Sequence, residues 1–421
     1  MEKKMRKIYI LIGVAAMLVS LRLLAMKQNE REEEHPQLVL TDAETKADDD
    51  PEQRTELLTG DQRTDQYLPL LDGKRVALFS NHTGLAGDCH ILDLLMNEGV
   101  NVVGAFSPEH GFRGKADAGE HVKSSVDPQT GVPIWSLYNG REKRPSDEVM
   151  RKFDCLVVDI QDVGLRFYTY YITMRSLMDV CALYDKEVVI LDRPNPNGHL
   201  VDGPILERRL YSGVGCLPVP VLHGMTLGEL ARMMNGEKWL PGGRPCTLTV
   251  IPCLNYTHRT FYQLPVPPSP NLPDMKSVYL YPSMCLFEGT TASLGRGTEH
   301  PFQMYGHPQM KGEGYSFVPK SRPGAKNPPL LNQRCNGVDL RLLGNEEIRQ
   351  QGVNLDYVID AYRRMPAGVR FFTPFFDKLI GTGYVRTMIE QGKSADEIRE
   401  RWRNDVESFK KLRKPYLLYE E

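Results

Sequence analysis

The sequence predicts an α/β fold: a doubly wound, mostly parallel sheet, with a smaller α+β domain after it in the chain. Three observations predict it. Apolar runs of strand length alternate with segments of helical spacing between residues 74 and 200. Each run exits into a loop rich in Asn, His, Asp, Glu, Arg or Tyr, and a parallel sheet sets such exits along one edge. Near residue 265 the chain turns proline-rich and then breaks into shorter, more varied elements.

The first strand is Arg75–Phe79, its exit loop is Ser80–Gly84, and a helix follows at Ile91–Glu98 that Gly99 ends. The second is the apolar run from Val102 to Phe106, handing over at Ser107-Pro108 to Glu109-His110-Gly111. Phe153–Asp159 is the third, followed by Ile160–Tyr170 and a helix from Tyr171 to Tyr184. Glu187–Leu191 is the fourth and exits into Asp192–Gly198. Thr226 caps a helix over Leu227–Met234, and Cys246–Ile251 is a further strand. Pro265–Pro273 has five prolines in nine residues, a density that neither helix nor central sheet accepts. The C-terminal part is expected to hold a strand at Val338–Leu342, a helix at Leu355–Arg364, an aromatic stretch at Phe371–Phe376 and a charged helix at Ser394–Leu412.

With 421 residues, 41% hydrophobic and 25% charged, the chain is long enough for two domains with sizeable cores. The expected divisions are an export segment at 1–26, an acidic spacer at 27–56, the sheet domain at 57–265 and the smaller domain at 266–421. Lys3, Lys4, Arg6 and Lys7 ahead of the apolar run Ile8–Leu21 read as a secretory signal or N-terminal anchor. That places the body of the chain outside the cytoplasmic membrane, periplasmic or tethered. A net charge of −2 gives no reason to expect nucleic acid. Oligomeric state is not legible. The eight cysteines lack C-x-x-C spacing and read as small buried hydrophobes, although Cys246 and Cys253 are close enough in sequence to bridge.

A nucleotide is not expected: the first strand exits into Ser-Asn-His-Thr-Gly, without G-x-G-x-x-G, and no G-x-x-x-x-G-K-[ST] occurs. His82, His110, His223, Asp159, Asp162 and Asp192 could converge on a metal, but no tight ligand pair such as H-E-x-x-H supports one, and neither metal nor other cofactor is expected. No G-x-S-x-G elbow supports a serine nucleophile. Carboxylate chemistry on a sugar fits better. Glycoside hydrolysis needs a protonated acid at the leaving oxygen, and either a second carboxylate or the substrate's own N-acetyl oxygen at the oxocarbenium-like centre. Glu109 is the candidate acid with His110 beside it, and Glu288 or Asp159 the candidate partner. Tyr168, Tyr170 and Phe302 are candidates for a sugar platform. Arg166, Arg193 or Arg296 is suited to a bidentate grip on a carboxylate, or else to a salt bridge with Asp162, Asp192 or Glu299. Asn81, His82, Asp159, Asp162, Asn195 and His223 complete the candidate binding edge.

Six segments taken together carry a resemblance: Ser80–Gly84, Phe106–Gly114, Asp159–Tyr170, Leu191–Pro196, His223–Leu230 and Cys285–Thr290. In this order the chain resembles the exo-β-N-acetylmuramidase family of NamZ type from about Lys74 to the C-terminus. The resemblance implies a Rossmann-like larger domain, a smaller C-terminal one, and a nucleotide-free cleft between them. It implies release of N-acetylmuramic acid from the non-reducing ends of peptidoglycan fragments, with Glu109 as the catalytic acid. A muropeptide-binding protein without turnover and a metal-dependent hydrolase are the alternatives from other classes.

Overall fold

In the computed structural model, residues 56–108, 112, 125–137, 144–312 and 314–421 are described. The expected export segment and spacer, and the expected acid Glu109 with His110, lie outside the described residues. Twelve strands are seen among those residues: β1 Val76–Ser80, β2 Leu85–Ala86, β3 Cys89–His90, β4 Val102–Ser107, β5 Ser125–Val126, β6 Pro133–Ser136, β7 Cys155–Asp159, β8 Glu187–Leu191, β9 Thr247–Ile251, β10 Met304–His307, β11 Tyr315–Phe317 and β12 Cys335–Asp339.

The main sheet has the order β5-β6-β4-β1-β7-β8-β9. Its pairs are parallel except for the edge strand β5. If the six parallel strands are counted in chain order, they run third, second, first, fourth, fifth, sixth across the sheet, which is the Rossmann order. The order reverses between β1 and β7, where Ser80 is in register with Asp159, and the loops leaving that point flank a crevice.

Strand alternation decides what each face buries. Ala77, Phe79, Leu156, Val158, Val188 and Ile190 face one core, while Val76, Leu78, Cys155, Val157, Val189 and Leu191 face the other. Helix α1 (Ile91–Asn97) covers the second face; α2 (Tyr170–Leu183) and α3 (Leu227–Gly236) cover the first. Helix α3 begins at a capping box in which Thr226 Oγ1 accepts from Glu229 N at 3.2 Å and Thr226 N donates to Glu229 at 2.9 Å.

The C-terminal part packs β10-β12-β11 and several helices, among them α4 (Met275–Met284) and α5 (Pro374–Ile380), onto the first core. Thr55–Glu421 form one compact unit. The last residues return to the sheet edge, where Tyr419 Oη donates to Asp192 Oδ2 at 2.7 Å and His258 N donates to Glu420 O at 2.8 Å.

Three expectations are corrected. The charged helix expected over Ser394–Leu412 is two helices, Ala395–Glu400 and Arg403–Arg413. The break buries Trp402 and aims its Nε1 at Asp202 Oδ1, 2.9 Å away. The strand expected at Val338–Leu342 lies at Cys335–Asp339. Gly337 lets its neighbours approach, since a Cβ there would meet Tyr305 O at 1.9 Å, whereas Leu342 is 90% exposed. All eight cysteines are free thiols, so Cys246 and Cys253 do not bridge; Cys253 Sγ donates to Asp192 O at 3.2 Å.

Candidate functional site

The exit loops along the carboxyl edge are tied to one another before they meet any ligand. Asn81 Oδ1 accepts from Thr83 N (2.9 Å) and Thr83 Oγ1 (2.6 Å), and Asn81 Nδ2 donates to Tyr170 Oη at 2.9 Å. Thr83 Oγ1 accepts from Gln161 N at 2.9 Å, joining the β1 exit to the β7 exit. Asn195 Nδ2 donates to Met225 O at 3.0 Å and Asn195 Oδ1 accepts from Asn197 N at 2.8 Å. Gly164, at φ 78°, lies against that amide: a Cβ would sit 2.2 Å from Asn195, so only glycine fits.

Two of the three arginines proposed as carboxylate grips are held inside the protein. Arg193 donates Nε to Asp159 Oδ1 (2.6 Å) and Nη2 to Asp159 Oδ2 (3.0 Å) and to Asp61 Oδ2 (2.5 Å), with all three side chains buried. Asp159 is thereby tied into an ion pair rather than opened to a substrate. Burial, and then the neighbouring Asp159 charge, push the Asp61 carboxyl up to about 7. Arg166, also fully buried, donates Nη1 to Pro204 O (2.7 Å) and Val219 O (2.8 Å), and Nη2 to Leu379 O (2.8 Å). It reaches the end of α5, where Gly381 at φ 90° leaves it room. Desolvation lowers its ordinarily very basic guanidinium to about 10.

His223 is buried, its Nδ1 accepting from Met225 N at 3.2 Å, and desolvation pushes it down to about 3. It is a neutral imidazole that holds a turn. His82 Nε2 donates to Pro267 O at 2.9 Å.

Pro267 belongs to the proline-rich segment, which lies across the carboxyl edge as a strap. Two of its carbonyls accept from side chains of the sheet edge: Pro267 O from His82, and Pro268 O from Tyr168 Oη (2.8 Å) and Tyr170 Oη (3.3 Å). Farther along, Asn271 Nδ2 donates to Gly324 O at 2.9 Å.

Beneath the strap is a cavity of about 170 Å³, lined on one side by Tyr168 and Tyr170 and on the other by Tyr281, Glu288, Arg296 and Phe302. The rings form a continuous wall: Tyr170 to Tyr168 at 4.8 Å between centroids, Tyr168 to Tyr281 at 6.1 Å, and Tyr281 to Phe302 at 4.9 Å, all edge-to-face. Arg296 closes it, 5.1 Å above Phe302, and donates Nη2 (2.6 Å) and Nε (3.2 Å) to Glu288 Oε1. Phe302 has φ 64°, a backbone state uncommon for a bulky residue and concentrated at ligand sites. Arg296 and Glu288 keep 21% and 27% of their side chains accessible, which sets them apart from Arg166 and Arg193.

Of the residues expected from sequence, the cavity brings together Tyr168, Tyr170, Glu288, Arg296 and Phe302; Asn81 touches it through Tyr170. His82, Asp159, Asp162, Arg166, Arg193, Asn195 and His223 are not among its lining residues. Sequence reasoning missed Tyr281 and Asn271 in the lining and Asp61 as the second partner of Arg193. None carries a spacing signal; only the strap's proline density marked that region. Among the described residues no cluster of three His, Cys, Asp or Glu side chains is arranged to hold a metal ion.

Residues 76–276 match the family model for the N-terminal part of exo-β-N-acetylmuramidase NamZ, and residues 279–419 match the model for its C-terminal part. The chain is 37% identical over 372 residues to the peptidoglycan β-N-acetylmuramidase NamZ of Bacillus subtilis (strain 168), covering 84% of this chain and 89% of that protein. Two crystal structures of DUF1343 family proteins from Bacteroides fragilis NCTC 9343 are similar. One is 61% identical with a TM-score of 0.82, covering 87% of this chain and all of that one. The other is 30% identical with a TM-score of 0.71, covering 86% and 99%.

Proposed function

Because the chain belongs to the exo-β-N-acetylmuramidase NamZ family, we propose that it hydrolyses β-linked N-acetylmuramic acid from the non-reducing ends of peptidoglycan fragments. One observation carries the choice of substrate: a partly accessible arginine, Arg296, closes an aromatic-walled cavity at the carboxyl edge of the sheet. Muramic acid differs from glucosamine by a lactyl ether with a carboxylate, and a guanidinium fork is the group that selects a carboxylate. The sugar's apolar face suits the ring wall of Tyr168, Tyr281 and Phe302.

Glu109 is the general acid in this reading, two residues along the sequence from Ser107, where β4 ends. With Arg166 and Arg193 held by internal partners, Arg296 takes the lactyl carboxylate, and Glu288 holds Arg296 in place until the substrate arrives. Residues 57–265 then act as the sheet domain and 266–421 as the smaller domain completing the cleft. The basic flank and apolar run at residues 3–21 support export, with the work done outside the cytoplasmic membrane in cell-wall turnover.

The test is a pair of chromogenic substrates, a β-N-acetylmuramide and the matching β-N-acetylglucosaminide. Release from the muramide alone, abolished in Glu109→Gln with affinity retained, is the expected result. Binding of muramyl ends without turnover in the wild type would replace this reading with that of a recognition protein.

A further inference from the structure

A second cavity, of about 590 Å³, lies in the C-terminal part and shares no lining residue with the first. Four pieces of chain build it: Tyr362 from the helix Asp356–Arg364, the stretch 368–373, the start of α5, and Arg386 with Glu390 from the helix Tyr384–Glu390. Backbone hydrogen bonds join it to the first cavity. Thr373 donates N (2.9 Å) and Oγ1 (3.1 Å) to Gly289 O, while Thr291 donates N to Phe371 O (2.8 Å) and Oγ1 to Arg370 O (3.1 Å). The segment that carries Glu288 into the first cavity is thus bonded to the one that lines the second. Gly289 permits the approach, since a Cβ there would sit 2.3 Å from Phe376 Cα.

The lining combines a ring with fixed polar groups. Phe371 and Phe372 are buried, and the half-buried Tyr362 rests on them at 5.8 and 5.4 Å between centroids. Arg386 donates Nε to Asp377 Oδ1 (2.9 Å) and Nη2 to Asp377 Oδ2 (3.0 Å), yet the two side chains remain 34% and 16% accessible. Arg386 Nη1 lies 3.6 Å from Glu390 Oε2. Arg370 is exposed; its Nε donates to Phe372 O at 3.1 Å, and among the described residues no carboxylate pairs with it.

Two guanidinium groups stand with two carboxylates, so the cavity has no cationic surplus for a phosphate backbone, and an acidic peptide would meet Asp377 and Glu390 as well as the arginines. More of the accessible wall is polar than apolar, which disfavours a purely apolar ligand. Amino sugars match both features. Each offers an apolar ring face to Tyr362, and its neighbouring hydroxyl and acetamido groups donate and accept side by side, as the Asp377–Arg386 pair does. The volume is that of a small-ligand site. We propose that this cavity is a second carbohydrate site, which holds an amino-sugar segment of a glycan strand away from the bond that is cut. The inference rests on the reaction proposed above and adds a hold on the polymer. A strand tethered at a second point returns its end to the first cavity at a raised effective concentration, so the site serves long strands and leaves small substrates unaffected.

The probe is a β-1,4-linked N-acetylglucosamine pentamer, which has no lactyl carboxylate for Arg296 and no muramyl end to release. It is titrated calorimetrically into the full chain with the first cavity saturated by N-acetylmuramic acid. The expected result is binding to the wild type that falls about tenfold in Tyr362→Ala and in Arg370→Ala, as for a lost ring contact or charge-assisted hydrogen bond. Turnover of a small chromogenic muramide stays within about twofold of wild type in both. Should Tyr362→Ala fail to fold, Arg370→Ala decides alone, because it alters an exposed side chain. A wild type that does not bind the pentamer, or an Arg370→Ala variant that binds it as tightly, overturns the site; so does displacement of the pentamer by a sugar-free stem peptide. Pentamer binding by a wild type that cleaves no muramide keeps the carbohydrate site and overturns the reaction instead.

Discussion

Arg296 grips a single oxygen of Glu288 from two nitrogens, at 2.6 and 3.2 Å, while its guanidinium plane lies 5.1 Å above Phe302. The pair leaves part of both side chains accessible at the cavity, so the cation is positioned in advance without being sealed off. A substrate carboxylate meets a fixed fork rather than a flexible chain, which lowers the ordering cost of binding.

Replacing Arg296 by alanine therefore raises KM for a muramyl substrate by roughly tenfold to 150-fold, corresponding to about 1.5–3 kcal/mol for charge-assisted hydrogen bonds. Arg296→Lys recovers part of this, having the charge but not the fork. Steady-state kinetics on the muramide decide it, and an unchanged KM in the alanine variant removes Arg296 from substrate recognition.

Arg166 behaves differently, because its nitrogens hold backbone carbonyls of three separate segments. Arg166→Ala leaves Pro204, Val219 and Leu379 carbonyls unmatched in a buried place, a loss of about 2–5 kcal/mol. Chemical denaturation should show a lower midpoint; a variant as stable as wild type, with a raised KM instead, would return Arg166 to the list of substrate contacts.

Arg193→Ala strands two buried carboxylates, Asp61 and Asp159, and loss of one partner of a buried ion pair costs about 3–5 kcal/mol. The double variant Arg193→Met with Asp61→Asn leaves a single carboxylate and should recover a measurable part of that loss. Thermal unfolding of the two proteins side by side provides the check, and equal melting temperatures would contradict the paired geometry.

The Asp162 carboxyl predicts a pH slope. Desolvation raises it from 3.8 to about 7 in the folded chain, so between about pH 4 and 7 the native state holds a proton that the unfolded state has lost. Stability from this group therefore falls as pH rises through that window. Asp162→Asn has no proton to lose, so its stability relative to wild type should climb from pH 4 to 8, by up to about 4 kcal/mol at roughly 1.4 kcal/mol per unit. Parallel stability curves for the two proteins across that range would show that Asp162 is not buried as described.

The sequence by itself determined the strand-and-loop alternation, because apolar runs of five or six residues bounded by polar exits have few other ways to bury themselves. It also determined that the polar loops share an edge, since parallel strands deliver every exit to the same side. What it left open was which members of that edge face inward. Arg166, Arg193 and Arg296 are all arginines in polar, loop-like stretches of sequence, and their neighbours (Leu165 and Phe167, Asp192 and Pro194, Gly295 and Gly297) do not say which one reaches a cavity. Only tertiary contacts separate them: two end against carbonyls and carboxylates contributed by segments up to 213 residues away, and the third ends at a cavity. The same holds for Asp162, whose Oδ2 is buried and has no partner among the described residues. Local pattern sets where a side chain starts, because backbone geometry is local. What that side chain meets depends on segments brought together from all along the chain, and burial then decides its charge.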